Sequence, residues 1–178
     1  VKFSVVDNLQ QPGRSLTLDN KSAPQFYFAY GSNMNPDRMQ GRDMTAVSAV
    51  SGWLYGFGLR FNKRSRHDDS LACANIVYAP DEQIQGVLYE LASGAEIIKL
   101  DPYEGAPRRY SREVFSVQTK AGAKAAWVYV ANPAVLDSQI LPARWYIEHL
   151  LAGRQYLSEE YWQAIDSTVC QAGSVKWS

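Results

Sequence analysis

The chain has 178 residues, 46% of them hydrophobic and 20% charged, which is the composition of one globular domain with a substantial core. Its 18 basic residues balance 18 acidic ones, so it lacks the charge signature of a protein that binds nucleic acid or an anionic membrane. The sequence contains neither a membrane-helix run of roughly 20 apolar residues nor a recognisable signal peptide, which favours a cytoplasmic location.

Residues 1–25 are predicted to form an N-terminal extension, and residues 26–178 the main domain. The extension is rich in polar and turn-forming residues and starts at Val1 instead of methionine. It is compatible with a trimmed leader, with residues added for expression, or with a piece of a longer polypeptide. Within it, residues 2–6 and 15–18 have the alternation of edge strands.

A polar loop follows an apolar aromatic strand at residues 26–29. Its residues are Tyr30, Gly31, Ser32 and Asn33. Gly31 can adopt backbone angles closed to other residues, and the two polar side chains lie beside exposed amides. Asn35 and Pro36 have the pattern of a helix N-cap and first residue, so unpaired amide donors converge here. The loop suits an anion or a polarised carbonyl, although a structural β-turn has the same local pattern.

Six later segments have β-type composition, with turn residues in most of the gaps between them: 45–53, 55–61, 71–78, 83–91, 110–118 and 125–130. A basic stretch at residues 60–66 is followed at once by Asp68 and Asp69, so we predict a strand end and a solvated loop there.

Helices are fewer than strands. One short helix is predicted from Ser93 into Leu100, with Pro102 ending it. A second covers residues 142–152, and a third is capped by Ser158. The excess of strands predicts an α+β domain.

A second motif places a carboxylate in a rigid turn. Its residues are Asp101, Pro102, Tyr103, Glu104 and Gly105. Pro102, Gly105 and Pro107 fix the backbone around Glu104, and Tyr103 supplies an aromatic wall. A carboxylate held beside apolar groups suits general acid/base chemistry. The alternative is structural, with Asp101 or Glu104 capping a turn or pairing with Arg108 or Arg109.

The remaining reactive residues are few. The chain has two histidines, His67 and His149, and two cysteines, Cys73 and Cys170. The cysteines are far apart, which argues against a zinc site, and Cys73 lies in an apolar run typical of a buried structural thiol. Because the sequence also lacks a phosphate loop, a dinucleotide fingerprint and a paired metal-binding carboxylate motif, it implies no cofactor and no metal.

The two motifs together resemble the γ-glutamylcyclotransferase family. Its members share a Tyr-Gly-Ser-Asn loop, a catalytic glutamate in an Asp-x-x-Glu-Gly segment, and a following Tyr-x-Arg strand. This chain has these motifs at residues 30–33, 101–105 and 110–112. The likeness extends through residues 86–91 and 145–153, and it covers roughly residues 26 to 166.

The resemblance implies a small mixed β-barrel whose mouth binds a small γ-glutamyl substrate and releases 5-oxoproline from it. In such a substrate the α-amine attacks the γ-carbonyl of the same molecule, so neither a protein nucleophile nor a metal is required. By analogy, Glu104 would be the general base and then the acid. The residues implied to bind substrate are Tyr30, Gly31, Ser32, Asn33, Tyr110 and Tyr146. A basic loop borders the pocket mouth in relatives.

Two alternatives remain open. One is a binding or interaction module on the same fold, because fold does not guarantee function. The other is an enzyme that removes a γ-glutamyl group from a peptide or carrier protein. The presence of Glu104 together with the complete loop of residues 30–33 counts against a site that has lost its activity.

Overall fold

A computed structural model describes residues 23–173. The strands are β1 (Phe26–Ala29), β2 (Ala46–Arg64), β3 (Leu71–Leu91), β4 (Tyr110–Thr119), β5 (Gly122–Ala131) and β6 (Leu141–Pro142). The α-helices are α1 (Pro36–Gly41), α2 (Asp101–Glu104), α3 (Arg144–Leu151) and α4 (Glu159–Asp166). Short 3-10 turns lie at Ser32–Met34, Glu96–Lys99, Pro133–Val135 and Arg154–Tyr156. Both edge strands predicted in the N-terminal extension lie outside the described residues.

Five strands close into a mixed barrel. Their order is β1-β5-β4-β2-β3, and β3 pairs again with β1 to complete the ring. β1 runs parallel to β5, whereas β2–β3 and β4–β5 are antiparallel hairpins. The short β6 pairs in parallel with the first residues of β3. This architecture confirms the predicted α+β class, with a small mixed barrel and flanking helices.

The β2–β3 hairpin is longer than predicted, because the four segments expected at 45–61 and 71–91 form only two strands. β2 has 19 residues and β3 has 21. The pairing moves from Tyr55↔Gln83 to Phe57↔Tyr78, so residues 79–82 lie opposite Gly56, whose φ is +80°. The irregularity is a bulge, and turn residues there bend the ladder without ending it.

The short helices around the barrel are partly as predicted. Asn35 caps α1 and Ser158 caps α4, each by accepting a backbone N–H, as the sequence indicates. Pro102, however, does not end a helix. It lies in the first turn of α2, where the N–H that proline lacks would be unpaired anyway, and Gly105 ends this helix at φ 67°. Among the described residues, no helix has the length and apolarity needed to cross a bilayer.

Phe28 is fully buried in the barrel and packs on two glycines. Gly52 of β2 and Gly86 of β3 are cross-strand partners. A Cβ on Gly52 would lie 3.1 Å from the Phe28 ring, and one on Gly86 would lie 2.3 Å from the carbonyl oxygen of Ala29. The two missing side chains therefore let β1 lie close against the hairpin, and this contact fixes where the loop after Ala29 begins.

We expect Gly86→Ala to lower the free energy of unfolding by about 2–3 kcal/mol, because the added methyl overlaps a backbone carbonyl that cannot move without disturbing β1. Gly41→Ala is the matched control, since a Cβ at Gly41 meets no heavy atom within 4 Å. Urea unfolding of the two variants measures the difference. Equal midpoints would show that the barrel accommodates the methyl and that the close approach is not required.

Candidate active site

A cavity of about 550 Å³ opens beside the loop that follows β1. Its wall includes four of the predicted site residues: Ser32, Glu104, Tyr110 and Tyr146. A narrow extension of about 30 Å³ shares these four and adds Tyr30, Gly31 and Asn33. The structure therefore brings the predicted residues of both motifs to this cavity and to a small pocket that shares four of its lining residues.

Two donors hold the Glu104 carboxylate at the cavity wall. Asn33 Nδ2 donates to Glu104 Oε1 at 3.1 Å, and an Arg42 guanidinium nitrogen donates to the same oxygen at 2.7 Å. Arg42 also donates to Asn33 Oδ1 at 2.8 Å, so the three side chains form a closed ring of hydrogen bonds. Because both donors reach Oε1, Oε2 is the carboxylate oxygen that accepts no hydrogen bond from residues 23–173.

The ion pair in this ring is nearly buried, with Arg42 and Glu104 side chains 9% and 16% exposed. The Arg42 guanidinium also lies 4.9 Å from the centre of the Tyr103 ring. The alternative in which Asp101 or Glu104 pairs with Arg108 or Arg109 does not occur among residues 23–173. Asp101 pairs instead with Arg112 at 3.2 Å. Arg109 donates to the backbone carbonyls of residues 64 and 65.

Asn33 connects the two sequence motifs. It is 3% exposed, and besides Glu104 its Nδ2 donates to the Tyr27 hydroxyl at 2.8 Å. Its backbone carbonyl accepts from the Tyr89 hydroxyl at 3.0 Å. The polar atoms of Asn33 are thus used to position the carboxylate, and a direct contact of its side chain with substrate stays a prediction.

Gly31 is closely packed and has no room for a side chain. Its φ of −117° and ψ of −144° lie outside the left-handed region, so the prediction that it uses backbone angles closed to other residues is wrong. A Cβ at Gly31 would lie 3.1 Å from Ala74 Cβ and 3.3 Å from the Tyr146 hydroxyl. The absence of a side chain lets the loop pack against β3.

Tyr110 and Tyr146 hold the same residue of β3. The Tyr110 hydroxyl donates to the Ala74 carbonyl at 2.6 Å, and the Tyr146 hydroxyl accepts from the Ala74 amide at 2.9 Å. The Tyr30 hydroxyl donates to the Tyr129 carbonyl. Burial raises the pKa of Tyr30, Tyr110 and Tyr146, so all three stay protonated near neutral pH. The Tyr110 and Tyr30 protons are donated to backbone carbonyls, whereas the Tyr146 proton has no acceptor among residues 23–173.

Cationic side chains outnumber carboxylates on the cavity wall. The cations are Arg38, Arg42, Lys63 and Arg66, against Glu104 alone. Lys63 is 5% exposed, and its ammonium lies 4.7 Å from the centre of the Tyr110 ring. The prediction of a solvated loop is therefore wrong for Lys63, although the basic segment does border the cavity as the resemblance implies.

Arg42 was not identified from the sequence. It follows α1, and its partner Glu104 is 62 positions further along the chain, so no local spacing connects them. Trp145 also lines the cavity, and its indole nitrogen is buried without a hydrogen-bond partner among residues 23–173. Within residues 23–173, no group of three or more His, Cys, Asp or Glu side chains is arranged to hold a metal ion.

A small mixed barrel with a Tyr-Gly-Ser-Asn loop and one carboxylate at the same cavity defines a γ-glutamylcyclotransferase-like protein. Residues 27–148 match the family described as "Gamma-glutamyl cyclotransferase, AIG2-like". This match covers more than half of the sequence, and the chain belongs to this family. No protein of curated function matches the sequence.

Solved structures share the fold at low sequence identity. A "Gamma-glutamyl cyclotransferase" superposes with a TM-score of 0.72 and 23% identity, covering 86% of this chain and 92% of its own. An uncharacterised human protein, loc79017, has a TM-score of 0.74 and 23% identity, with coverages of 88% and 94%. YkqA from Bacillus subtilis has a TM-score of 0.70 and 23% identity, with coverages of 83% and 56%.

Proposed function

We propose that this chain releases 5-oxoproline from γ-glutamyl amino acids or γ-glutamyl amines, with Glu104 as general base and then general acid. The observation that carries the proposal is the position of Glu104. Its carboxylate lies on the wall of a cavity of ordinary small-molecule size and is held by Asn33 at 3.1 Å and Arg42 at 2.7 Å. Membership of the family supports the same chemistry.

The reaction moves two protons from the α-nitrogen to the leaving nitrogen. Glu104 takes the first proton from the α-ammonium, and the free amine attacks the γ-carbonyl carbon to form the five-membered ring, whose nitrogen is then cationic. Glu104 gives its proton to the leaving nitrogen as the tetrahedral oxyanion collapses and the bond to that nitrogen breaks. The freed carboxylate then passes the second proton from the ring nitrogen to the departing amine. The products are 5-oxoproline and an ammonium ion, and no water is consumed.

The surrounding groups match the other requirements of this reaction. A folded substrate gains about 7–11 kcal/mol from proximity in favourable cases, so the cavity has to hold the attack-ready conformer. The amides of Gly31 and Ser32, together with the Tyr146 hydroxyl proton, would be the donors for the developing oxyanion. Arg42 and Asn33 fix Oε1 of Glu104, which restricts the carboxylate to one orientation.

The direct test is mass-spectrometric detection of 5-oxoproline released from γ-glutamyl amino acids, γ-glutamyl-ε-lysine, simple γ-glutamyl amines and glutathione. Release that disappears in Glu104→Gln supports the proposal. If none of these compounds releases 5-oxoproline but γ-glutamyl peptides or a γ-glutamylated carrier protein do, the substrate is a macromolecule. Ligand binding without any release would indicate a binding module.

We expect Tyr146→Phe to lower kcat/KM for 5-oxoproline release about tenfold, because it removes a buried cavity hydroxyl that accepts from the Ala74 amide and keeps its own proton available to the substrate. Tyr110→Phe is the matched control, since its hydroxyl proton is already donated to Ala74, and it should lower activity less. Steady-state kinetics on both variants gives the comparison. A larger loss in Tyr110→Phe would contradict the assignment of the ligand-directed proton to Tyr146.

A further inference from the structure

Two cations on the cavity wall are at least partly buried and lack a counterion among residues 23–173. Arg42 is paired with Glu104. Arg66 also makes no ion pair within this range, but it is exposed to water and donates to the Pro102 carbonyl. Arg38 and Lys63 make no ion pair with any of residues 23–173. A protein seldom buries an ammonium or guanidinium without a counterion unless a ligand supplies it.

Lys63 is the more deeply buried of the two. It is 5% exposed, its ammonium rests over the Tyr110 ring at 4.7 Å, and Glu104 is not close enough to form an ion pair with it. Burial lowers the pKa of Lys63. The nearby thiol of Cys73 does not balance the charge, because burial raises the pKa of Cys73 and keeps it neutral.

Arg38 lies on α1, whereas Lys63 lies on β2, and Trp145 of α3 lines the same cavity. The Nε of Arg38 is buried without a partner among residues 23–173, as is the indole nitrogen of Trp145. Asn35, which caps α1, contacts His149 of α3, and the His149 ring packs edge-on against Trp145. The two unpaired cationic groups of the cavity therefore lie on different elements, Arg38 on α1 and Lys63 on β2, where it rests over Tyr110.

A γ-glutamyl group can satisfy only one of these groups. It carries one ammonium, which the proposed reaction places at Glu104, and one α-carboxylate, which neutralises a single cation. If the substrate were a simple γ-glutamyl amine, the second cation would stay buried and unpaired in the complex. A further carboxylate on the leaving amine removes this imbalance.

We propose that Lys63 binds a carboxylate on the leaving amine, while Arg38 and Trp145 bind the α-carboxylate, so that γ-glutamyl α-amino acids are preferred over uncharged γ-glutamyl amines. This inference rests on the proposed function of the same cavity. It makes Lys63 a specificity-determining residue, whereas Arg38 serves every γ-glutamyl substrate equally.

The test compares γ-glutamyl-alanine with γ-glutamyl-alaninamide, which has nearly the same shape without the charge. We expect the protein to favour the acid in kcat/KM by about tenfold to a hundredfold, the usual effect of a hydrogen bond to a charged group. Lys63→Met, which keeps the side-chain length and removes the charge, should bring this ratio towards one. Arg38→Met should lower kcat/KM for both substrates and leave the ratio high.

Controls separate this inference from the proposed function. Lys120→Met removes an exposed cation away from the cavity and should leave the ratio unchanged. Lys63→Gln serves as a second variant, and thermal unfolding checks that each protein is folded. Release from both substrates at equal efficiency in the unsubstituted protein would overturn the role of Lys63 but retain the cyclotransferase. A ratio that collapses in Arg38→Met and not in Lys63→Met would also overturn it. Release from neither substrate would instead contradict the proposed function on these small substrates.

Discussion

Replacing Glu104 by glutamine is expected to lower kcat/KM for 5-oxoproline release by about 10²–10⁴-fold, or about 3–5 kcal/mol of transition-state stabilisation. The amide oxygen of glutamine can still accept the hydrogen bonds that Asn33 and Arg42 give to Oε1. What it cannot do is take a proton from the α-ammonium. The loss should therefore appear mainly in kcat, with substrate binding largely retained.

Asp101→Asn is the informative control for Glu104→Gln, because Asp101 is the other carboxylate of the same motif. Asp101 accepts from the Tyr129 hydroxyl at 2.7 Å and pairs with Arg112 at 3.2 Å, so its role in the structure is to hold α2 against the barrel. We expect Asp101→Asn to reduce stability and to retain most of the activity. If Glu104→Gln were as active as Asp101→Asn, the general-base assignment would be wrong.

The features predicted correctly from the sequence depend on neighbouring residues. The caps at Asn35 and Ser158 are examples, since each side chain reaches a backbone N–H two or three residues away. The strand at residues 110–118 is another example, because its β-type composition is a property of its own residues. The sequence predicted a gap between two strands where the structure has one continuous strand. This could not be foreseen, because only the pairing with β2 shows that residues 79–82 form a bulge.

Only the local part of the candidate site could be predicted from the sequence, because the rest depends on contacts between distant residues. Its two motifs are visible as local sequence, but their junction is made by contacts between residues 62 and 71 positions apart. For Lys63 the prediction from the local sequence was wrong. Its charged neighbours indicate a solvated loop, yet β2 continues to Arg64, and the ring of Tyr110 from another strand covers the lysine.

We expect Arg42→Met to lower the free energy of unfolding by about 3 kcal/mol, because it leaves the Glu104 carboxylate nearly buried with Asn33 as its one remaining donor. The value lies at the low end for a broken buried ion pair, since Glu104 is 16% exposed and water can solvate it in part. Catalysis should fall as well, because Oε1 is then free to rotate away from the fixed orientation.

A double-mutant cycle separates the ion pair from simple loss of packing around Arg42. When Arg42→Met is combined with Glu104→Gln, no buried carboxylate remains unpaired, and the double variant should be more stable than Arg42→Met alone. Urea unfolding of the four proteins gives the coupling energy. Strict additivity of the two changes would mean that the 2.7 Å contact carries no net interaction in the folded protein, and that Arg42 acts on Glu104 through packing alone.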